Sequence, residues 1–228
     1  MTTVVILQPS YLPWIGYFDQ MIKADTFVYY DDVQYDKHGW RNRNRIKGPK
    51  DTIWLTVPVR HKRRSGQMIK DTEIPSNQPW SEKHIRSIKQ AYAAAPYTND
   101  YIETLSTALK QPTELLCELC YNTLDFLREE LGIDTPIYKS SELGIGGEQT
   151  SRLLNICKHF GAKTYLTGDS ARNYLQTDLF ELEGIDVKWH NYQHPTYEQQ
   201  HGDFISHLSI VDLLMNLGPE SRKVLSNK

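Results

Sequence analysis

A row of alternating arginines and asparagines is the stretch of this chain whose residue types suggest chemistry most directly. The five letters RNRNR place Arg41, Arg43 and Arg45 two residues apart, and on a β-strand that spacing puts all three side chains on one face. Such a row can bind carboxylate or phosphate groups bidentately, as in a nucleotide, a coenzyme A thioester or a nucleic-acid backbone. A solvated edge strand protected by its charge explains the same row. Lys37 and Trp40, shortly before the row, favour the anionic ligand.

Positive charge extends beyond this row. Residues 37–64 hold ten of the 26 lysines and arginines, and Asp51 is the only acid among them. We predict that Lys47 binds phosphate together with the arginines. The formal net charge of the whole chain is −2, which argues against a protein that coats DNA with its entire surface. We expect a small anionic substrate and no DNA, while a local tRNA contact stays open.

Two histidines and one aspartate are the candidate acid–base groups. His194 lies in a loop just past a predicted strand, and His207 precedes the last predicted helix. Either could act as a general base, because an ordinary imidazole titrates near neutral pH. Asp32, which follows Asp31 at the end of a predicted strand, would orient the base or the acceptor. Adjacent aspartates at a strand end are more often a simple turn.

Other catalytic motifs are missing or have simpler explanations. The chain contains no G-x-S-x-G nucleophile elbow and no H-E-x-x-H zinc motif, which argues against the usual serine hydrolases and zinc proteases. Ser209 with Asp212 three residues later is explained by a helix cap. Cys117 and Cys120 lie inside a leucine-striped segment where their spacing faces the core, so we predict no metal site. The sequence leaves the cofactor unknown.

The cysteines and the apolar residues bear on the compartment. Three cysteines in 228 residues do not suggest a disulfide framework. No signal peptide opens the chain, and no apolar run approaches the length of a membrane span. We therefore expect a cytoplasmic protein without an integral membrane segment. The oligomeric state stays open, with a homodimer among the alternatives.

Strand-like and helix-like segments alternate along the chain, most regularly in its last third. Predicted strands cover 3–7, 26–30, 51–59, 136–139, 162–167 and 185–190, and predicted helices cover 13–22, 79–95, 99–109, 112–131, 149–160, 174–182 and 209–217. This alternation is typical of βαβ units and a parallel sheet. We predict one three-layer α/β domain over 1–228 with a mainly parallel sheet. An antiparallel edge segment at 33–59 and a helical segment at 79–132 are inserted into it.

Three loops follow predicted strands and precede predicted helices. In a parallel sheet such loops gather at the carboxyl edge, where ligands bind. Ordinary turns explain two of them, GIGG and GDSARN, equally well. The third, QPSYLPWIGYFDQM at 8–21, carries more aromatic side chains than a turn requires. We predict that Tyr11, Trp14 and Tyr17 form an aromatic wall for a planar or sugar ring, held rigid by the prolines.

Four stretches, taken together and in this order, resemble the WbqC-like protein family over nearly the whole chain. They are QPSYLPWIGYFDQM, RNRNRIK followed by WLTVPV, YLTGDSARNYL, and HPTYEQ followed by FISHLSIVDLLMNLG. The resemblance implies a role in bacterial surface-polysaccharide (O-antigen) biosynthesis, with glycine or aminoacyl transfer as the suggested reaction. The family positions that we add to the predicted substrate-binding residues are Gln8, Gly16, Asn44, Gly168, Tyr174, Tyr197 and Ser209.

The resulting hypothesis is a transferase that uses an anionic activated donor, either a nucleotide sugar or an acyl donor. Arg41, Arg43 and Lys47 would bind the donor's phosphates, and His194 would deprotonate the acceptor. A nucleotidyl-transfer or nucleotide-binding enzyme is one alternative, and a non-catalytic scaffold of a biosynthetic complex is another. The sequence does not identify the donor, the acceptor or any metal dependence.

Overall fold

The chain is an α/β protein with a five-stranded parallel sheet and a separate two-stranded antiparallel sheet. Its computed structural model describes residues 2–60 and 66–226. Residues 61–65, which end the basic segment predicted to bind the ligand, lie outside the described residues. Contacts group the described residues into two compact units, 2–8, 19–32 and 134–193 in the first, and 9–18, 33–60, 66–133 and 194–226 in the second. One domain over 1–228 stays a prediction.

The strands are β1 Thr3–Leu7, β2 Thr26–Tyr29, β3 Arg43–Lys47, β4 Thr52–Thr56, β5 Ile137–Lys139, β6 Thr164–Thr167 and β7 Asp186–Trp189. The helices are α1 Ile15–Lys23, α2 Trp80–Ala91, α3 Thr98–Lys110, α4 Leu116–Glu130, α5 Gln149–His159, α6 Thr177–Leu182, α7 Ile210–Leu217 and α8 Ser221–Ser226. None of the helices in the described ranges combines the length and the apolar character that a membrane span needs.

The first unit contains the parallel sheet, in the order β5-β2-β1-β6-β7. Short strands rich in β-branched residues form it because both faces of a parallel sheet are buried. Val4 of β1, Val28 of β2 and Tyr165 of β6 pack in one apolar cluster with Ile156 of α5 and Phe180 of α6. The predicted parallel sheet is confirmed. Because all five strands run the same way, the residues that follow them share one edge.

The second unit contains the antiparallel hairpin β3–β4 and the helices α2, α3, α4, α7 and α8. The predicted antiparallel segment is present as a two-stranded sheet of its own. Cys117 and Cys120 are buried in α4, which agrees with their predicted packing in the core. Helix α4 begins at Leu116 rather than Pro112, because Leu115 forms a β-bridge with Glu73 and keeps the preceding residues extended.

Candidate functional site

Backbone hydrogen bonds join the N-terminal loop, the arginine row and the C-terminal segment side by side in the second unit. Tyr11 N donates to Arg41 O at 3.1 Å, and Ser209 N donates to Arg45 O at 2.8 Å. Ser209 also forms a β-bridge with Trp14. Three segments that are far apart in the sequence are therefore direct neighbours.

Trp14 stacks on both candidate histidines, and we call these three rings the Trp14 stack. The indole centroid lies 5.0 Å from the His207 ring at an interplanar angle of 21° and 6.4 Å from the His194 ring at 19°. Gly16 makes this placement possible, because a Cβ atom there would lie 2.3 Å from Trp14 Cη2. Gly16 thus leaves room for the Trp14 ring, and its predicted substrate binding stays a prediction.

His207 is the exposed member of the Trp14 stack. Its backbone is left-handed, with φ 59°, a conformation that histidine tolerates better than most residues but that still stores strain. Its Nδ1 lies 2.8 Å from the hydroxyl of Ser206. The hydroxyl can donate or accept, so either tautomer of the imidazole is compatible with this contact.

His194 packs deeper in the same stack. Its Nδ1 lies 2.8 Å from Pro195 O, and because a carbonyl oxygen only accepts, Nδ1 carries the proton. Burial, with a smaller contribution from His207, lowers the pKa of His194, and the bond to Pro195 opposes this shift. The second nitrogen, Nε2, is buried. His207 is therefore the more accessible of the two predicted bases.

A buried carboxylate holds the histidine-bearing segment in place. Asp212 accepts hydrogen bonds from Tyr92 Oη at 2.8 Å, Tyr197 Oη at 2.7 Å and Gln199 Nε2 at 2.8 Å. Burial raises the pKa of Asp212, and these three donors oppose the shift. Tyr197, predicted to bind substrate, uses its hydroxyl here. The roles of Tyr92 and Gln199 were missed, since Tyr92 lies in no motif and Gln199, although part of the HPTYEQ stretch, showed no sign of contacting Asp212.

Ser209 caps α7, since its Oγ accepts a hydrogen bond from Val211 N at 3.3 Å. The cap interpretation is thereby confirmed for Ser209. Asp212 does not complete a reciprocal cap but faces the three donors described above. Of Ser209 and Asp212, only Ser209 caps the helix.

Two predicted ligand-binding residues of β3 point inward and hold other segments. Lys47 is buried, and its Nζ donates to Gly202 O at 3.2 Å and to Asp203 O. Asn44 is also buried, and its Nδ2 donates to Leu12 O at 2.7 Å. The Lys47 ammonium therefore anchors the C-terminal segment, which corrects its predicted role as a phosphate ligand. Asn44 likewise supports Leu12, whose backbone has a φ of 42°.

The predicted aromatic wall is mostly core. Tyr11 is fully buried, and its hydroxyl lies 2.9 Å from His84 Nδ1. Tyr17 is buried as well. Of the three, only Trp14 is half-buried rather than buried, so the interpretation of a three-ring ligand surface is wrong for Tyr11 and Tyr17. Their aromatic type predicted an amphipathic surface, but their rings face inward.

Arg43 and Arg45 lie on the outward face of β3, whereas Arg41 precedes the strand. Burial lowers the pKa of Arg41. Arg43 donates to His38 O at 2.6 Å. The exposed rings of Trp40 and Trp54 stack on each other with their centroids 5.5 Å apart. Both outward arginines lie over these rings. The sequence hypothesis included Trp40 but not Trp54, although alternation along β4 could have placed Trp54 outward. Lys37 is exposed nearby in sequence.

The first unit carries a separate polar cluster at the carboxyl edge of its sheet. Asp32 forms an ion pair with Arg152 of α5 and lies within hydrogen-bonding distance of the Ser140 hydroxyl. Asp31 accepts hydrogen bonds from Ser141 N at 3.0 Å and Ser141 Oγ at 2.7 Å. These contacts tie β2 to the residues after β5. The role of Asp32 in orienting His194 stays a prediction.

The remaining predicted residues of the first unit occupy strand ends. Gln8 follows β1 and is half-buried, and Gly168 begins the short 3₁₀ turn after β6. Tyr174, just past that turn, is one of the most exposed aromatic residues described. Asp169 in the turn pairs with Arg172 at 3.1 Å. Ligand binding by Gln8, Gly168 and Tyr174 stays a prediction.

Metal and cavity features add no further candidate. Residues 2–60 and 66–226 contain no group of three or more histidine, cysteine, aspartate or glutamate side chains arranged to hold a metal ion. A groove of about 630 Å³ in the second unit is lined by residues such as Pro75, Trp80 and Leu115. None of the predicted site residues lines that groove.

Comparisons with known proteins agree with the resemblance inferred from the motifs. The family model described as the WbqC-like protein family matches residues 8–224. An uncharacterized protein of Mycobacterium tuberculosis, Rv1507c, is 37% identical over 223 residues, covering 97% of this chain and 96% of that protein. No solved structure matches the chain. The chain belongs to the WbqC-like protein family.

Proposed function

We propose that the chain is a transferase that binds an anionic activated donor and uses His207 as its general base. The observation that carries the proposal is the exposed His207 ring stacked 5.0 Å from Trp14, beside the strand that bears Arg43 and Arg45. A planar apolar face, a base and two guanidinium groups are what transfer from an anionic donor needs.

In the proposed reaction, an amine or hydroxyl of the acceptor attacks the electrophilic carbon of the donor, which is the carbonyl carbon of an acyl donor or the anomeric carbon of a nucleotide sugar. A C–N or C–O bond forms, and the bond to the leaving group breaks. The acceptor's proton goes to His207, and the leaving group departs as an anion that Arg45 stabilises electrostatically. Glycine or aminoacyl transfer to a sugar in bacterial surface-polysaccharide synthesis is the form of this reaction that the family resemblance suggests.

His194 has a positioning role in this proposal, which revises its role in the sequence hypothesis. Its ring lies 5.0 Å from that of His207, and its lowered pKa keeps it uncharged at neutral pH. A neutral neighbour avoids charge repulsion when His207 accepts a proton. The hydrogen bond from Tyr197 to Asp212 fixes the segment that carries His194.

The experiment is a thermal-shift screen of the whole protein against nucleotide sugars, acyl thioesters, acyl phosphates and amino acids, followed by transfer assays with the ligands that bind. His207→Asn removes the base but tolerates the left-handed backbone. We expect it to lower turnover about a hundredfold or more with unchanged donor affinity. His159→Asn, at the exposed end of α5, is the matched control. Full turnover in His207→Asn would refute the proposal.

A further inference from the structure

We infer that the outward face of the β3–β4 hairpin binds the nucleobase end of a nucleoside phosphate. Trp40, Arg43, Arg45 and Trp54 form this face, which we call the indole–guanidinium face. The inference rests on the proposed function in that it names the chemical class of the same anionic donor. Binding is measurable without turnover, so the two can fail separately.

The register of the hairpin creates the face. Arg45 pairs with Trp54 and Arg43 with Thr56 across the two strands. Residues two apart on a strand share a face, and Asn44, Ile46 and Leu55 between them are buried. The polar and aromatic side chains are therefore directed to the other side of the hairpin.

The two indoles leave much of their surface in water. Trp40 is 43% and Trp54 is 47% exposed, and the rings stack with centroids 5.5 Å apart at 24°. Single exposed aromatic residues are ordinary, but two adjoining exposed indoles form a continuous flat surface on which another ring can stack. Because the rings already stack on each other, a third flat ring can extend the stack with little further ordering.

Arg45 gives the face its charge. Its Cζ lies 5.7 Å from the centroid of Trp40 and 5.6 Å from that of Trp54. Among the described residues, its buried Nε has no hydrogen-bond partner, and neither Arg45 nor Arg43 forms an ion pair within the described ranges. Arg43 is partly occupied, since it donates to His38 O and Gly39 O. Arg45 is thus the cation with more capacity for an anion.

The combination identifies the ligand class. A neutral sugar would use the indoles but not the guanidinium groups, and inorganic phosphate would use the charge but not the rings. A nucleoside phosphate uses both, because its base stacks on aromatic faces and its phosphate accepts bidentate hydrogen bonds from arginine. With two rings and a chain net charge of −2, the face suits one mononucleotide better than a long nucleic acid.

The test is equilibrium binding of uridine and adenosine diphosphate to the full chain by calorimetry. Trp54→Ala and Arg45→Met should each weaken binding of the tighter nucleotide about five- to hundredfold. The matched control is Arg86→Met, because Arg86 is an exposed arginine of α2 that belongs to none of the predicted binding segments and should leave affinity unchanged. Thermal melting checks that each variant is folded.

Several outcomes would overturn the inference. These are nucleotides that bind no more tightly than pyrophosphate, a Trp54→Ala variant with full affinity, and a short RNA that binds more tightly than either mononucleotide. The proposed function can fail independently of this inference. If nucleotide binding has the predicted variant pattern but His207→Asn keeps full turnover, the proposed base is wrong and the binding site stands.

Discussion

Acidification should weaken the fold through the buried Tyr11–His84 pair. Burial lowers the pKa of His84 to about 4 from its ordinary 6.5, and a hydrogen bond with the backbone of Thr56 opposes the shift. Nδ1 of His84 lies 2.9 Å from the Tyr11 hydroxyl, which is fully buried. Protonation of the imidazole would therefore place a positive charge in the buried core, which the burial of His84 opposes.

The sign and the size follow from proton linkage. Between pH 6.5 and 4 the unfolded chain binds a proton on His84 that the folded chain does not bind, so the free energy of unfolding falls as the pH falls. The stabilisation is complete above pH 6.5 and is lost as the pH approaches 4. Each pKa unit corresponds to about 1.4 kcal/mol, so the contribution is roughly 3 kcal/mol.

Urea unfolding measured at pH 7, 6, 5 and 4 tests this prediction. Other groups titrate in the same range, so the informative quantity is the difference between the wild type and His84→Gln. Glutamine keeps a polar side chain near Tyr11 but does not titrate, and the variant should lose less stability on acidification by roughly 3 kcal/mol. The exposed-site control His159→Gln should follow the wild type. Equal slopes for the wild type and His84→Gln would refute the reasoning.

Two further predictions concern the supports of the Trp14 stack. Gly16→Ala places a methyl group within 2.3 Å of the Trp14 indole, so we expect the indole ring to move away from His207. The intrinsic fluorescence of Trp14 should then change, measured in a background where the other tryptophans are replaced by phenylalanine. An unchanged fluorescence spectrum would contradict this prediction. Tyr92→Phe removes a donor to Asp212 and an acceptor for Lys47 N, so the free energy of unfolding should fall by about 1–3 kcal/mol, or a few degrees in melting temperature. A melting temperature equal to that of the wild type would show that the network contributes nothing.

The sequence predicted the fold well where local patterns decide the structure. Thr3–Leu7 is a strand over the predicted residues, because a short β-branched run bounded by polar residues has few alternatives. The start of α4 could not be predicted, since the bridge between Leu115 and Glu73 joins residues about forty positions apart. Proline at 112 is compatible with a helix start or with an extended segment, and only the tertiary pairing decides between them.

The sequence selected many of the residues that the structure brings together, but it often assigned them a different role. Motifs selected both Trp14 and His207 as candidate residues, but they did not predict the burial of Tyr11 and Lys47, because side-chain direction depends on packing partners. Asp32 shows the same limit, since its partner Arg152 is 120 residues away. The outward position of Trp54 could have been predicted, because period-two alternation beside buried Leu55 places its side chain on the other face of the strand.

The central claim is that His207, stacked on Trp14, is the accessible base of a donor-binding site. Diethyl pyrocarbonate transfers an ethoxycarbonyl group to unprotonated histidine nitrogens, and mass spectrometry of digested protein gives the rate at each histidine. We expect His207 to react faster than His194, and the tightest ligand from the thermal-shift screen to slow His207 by up to about tenfold when about 90% of sites are filled. Modification of His207 at the same rate with and without saturating ligand would contradict the claim.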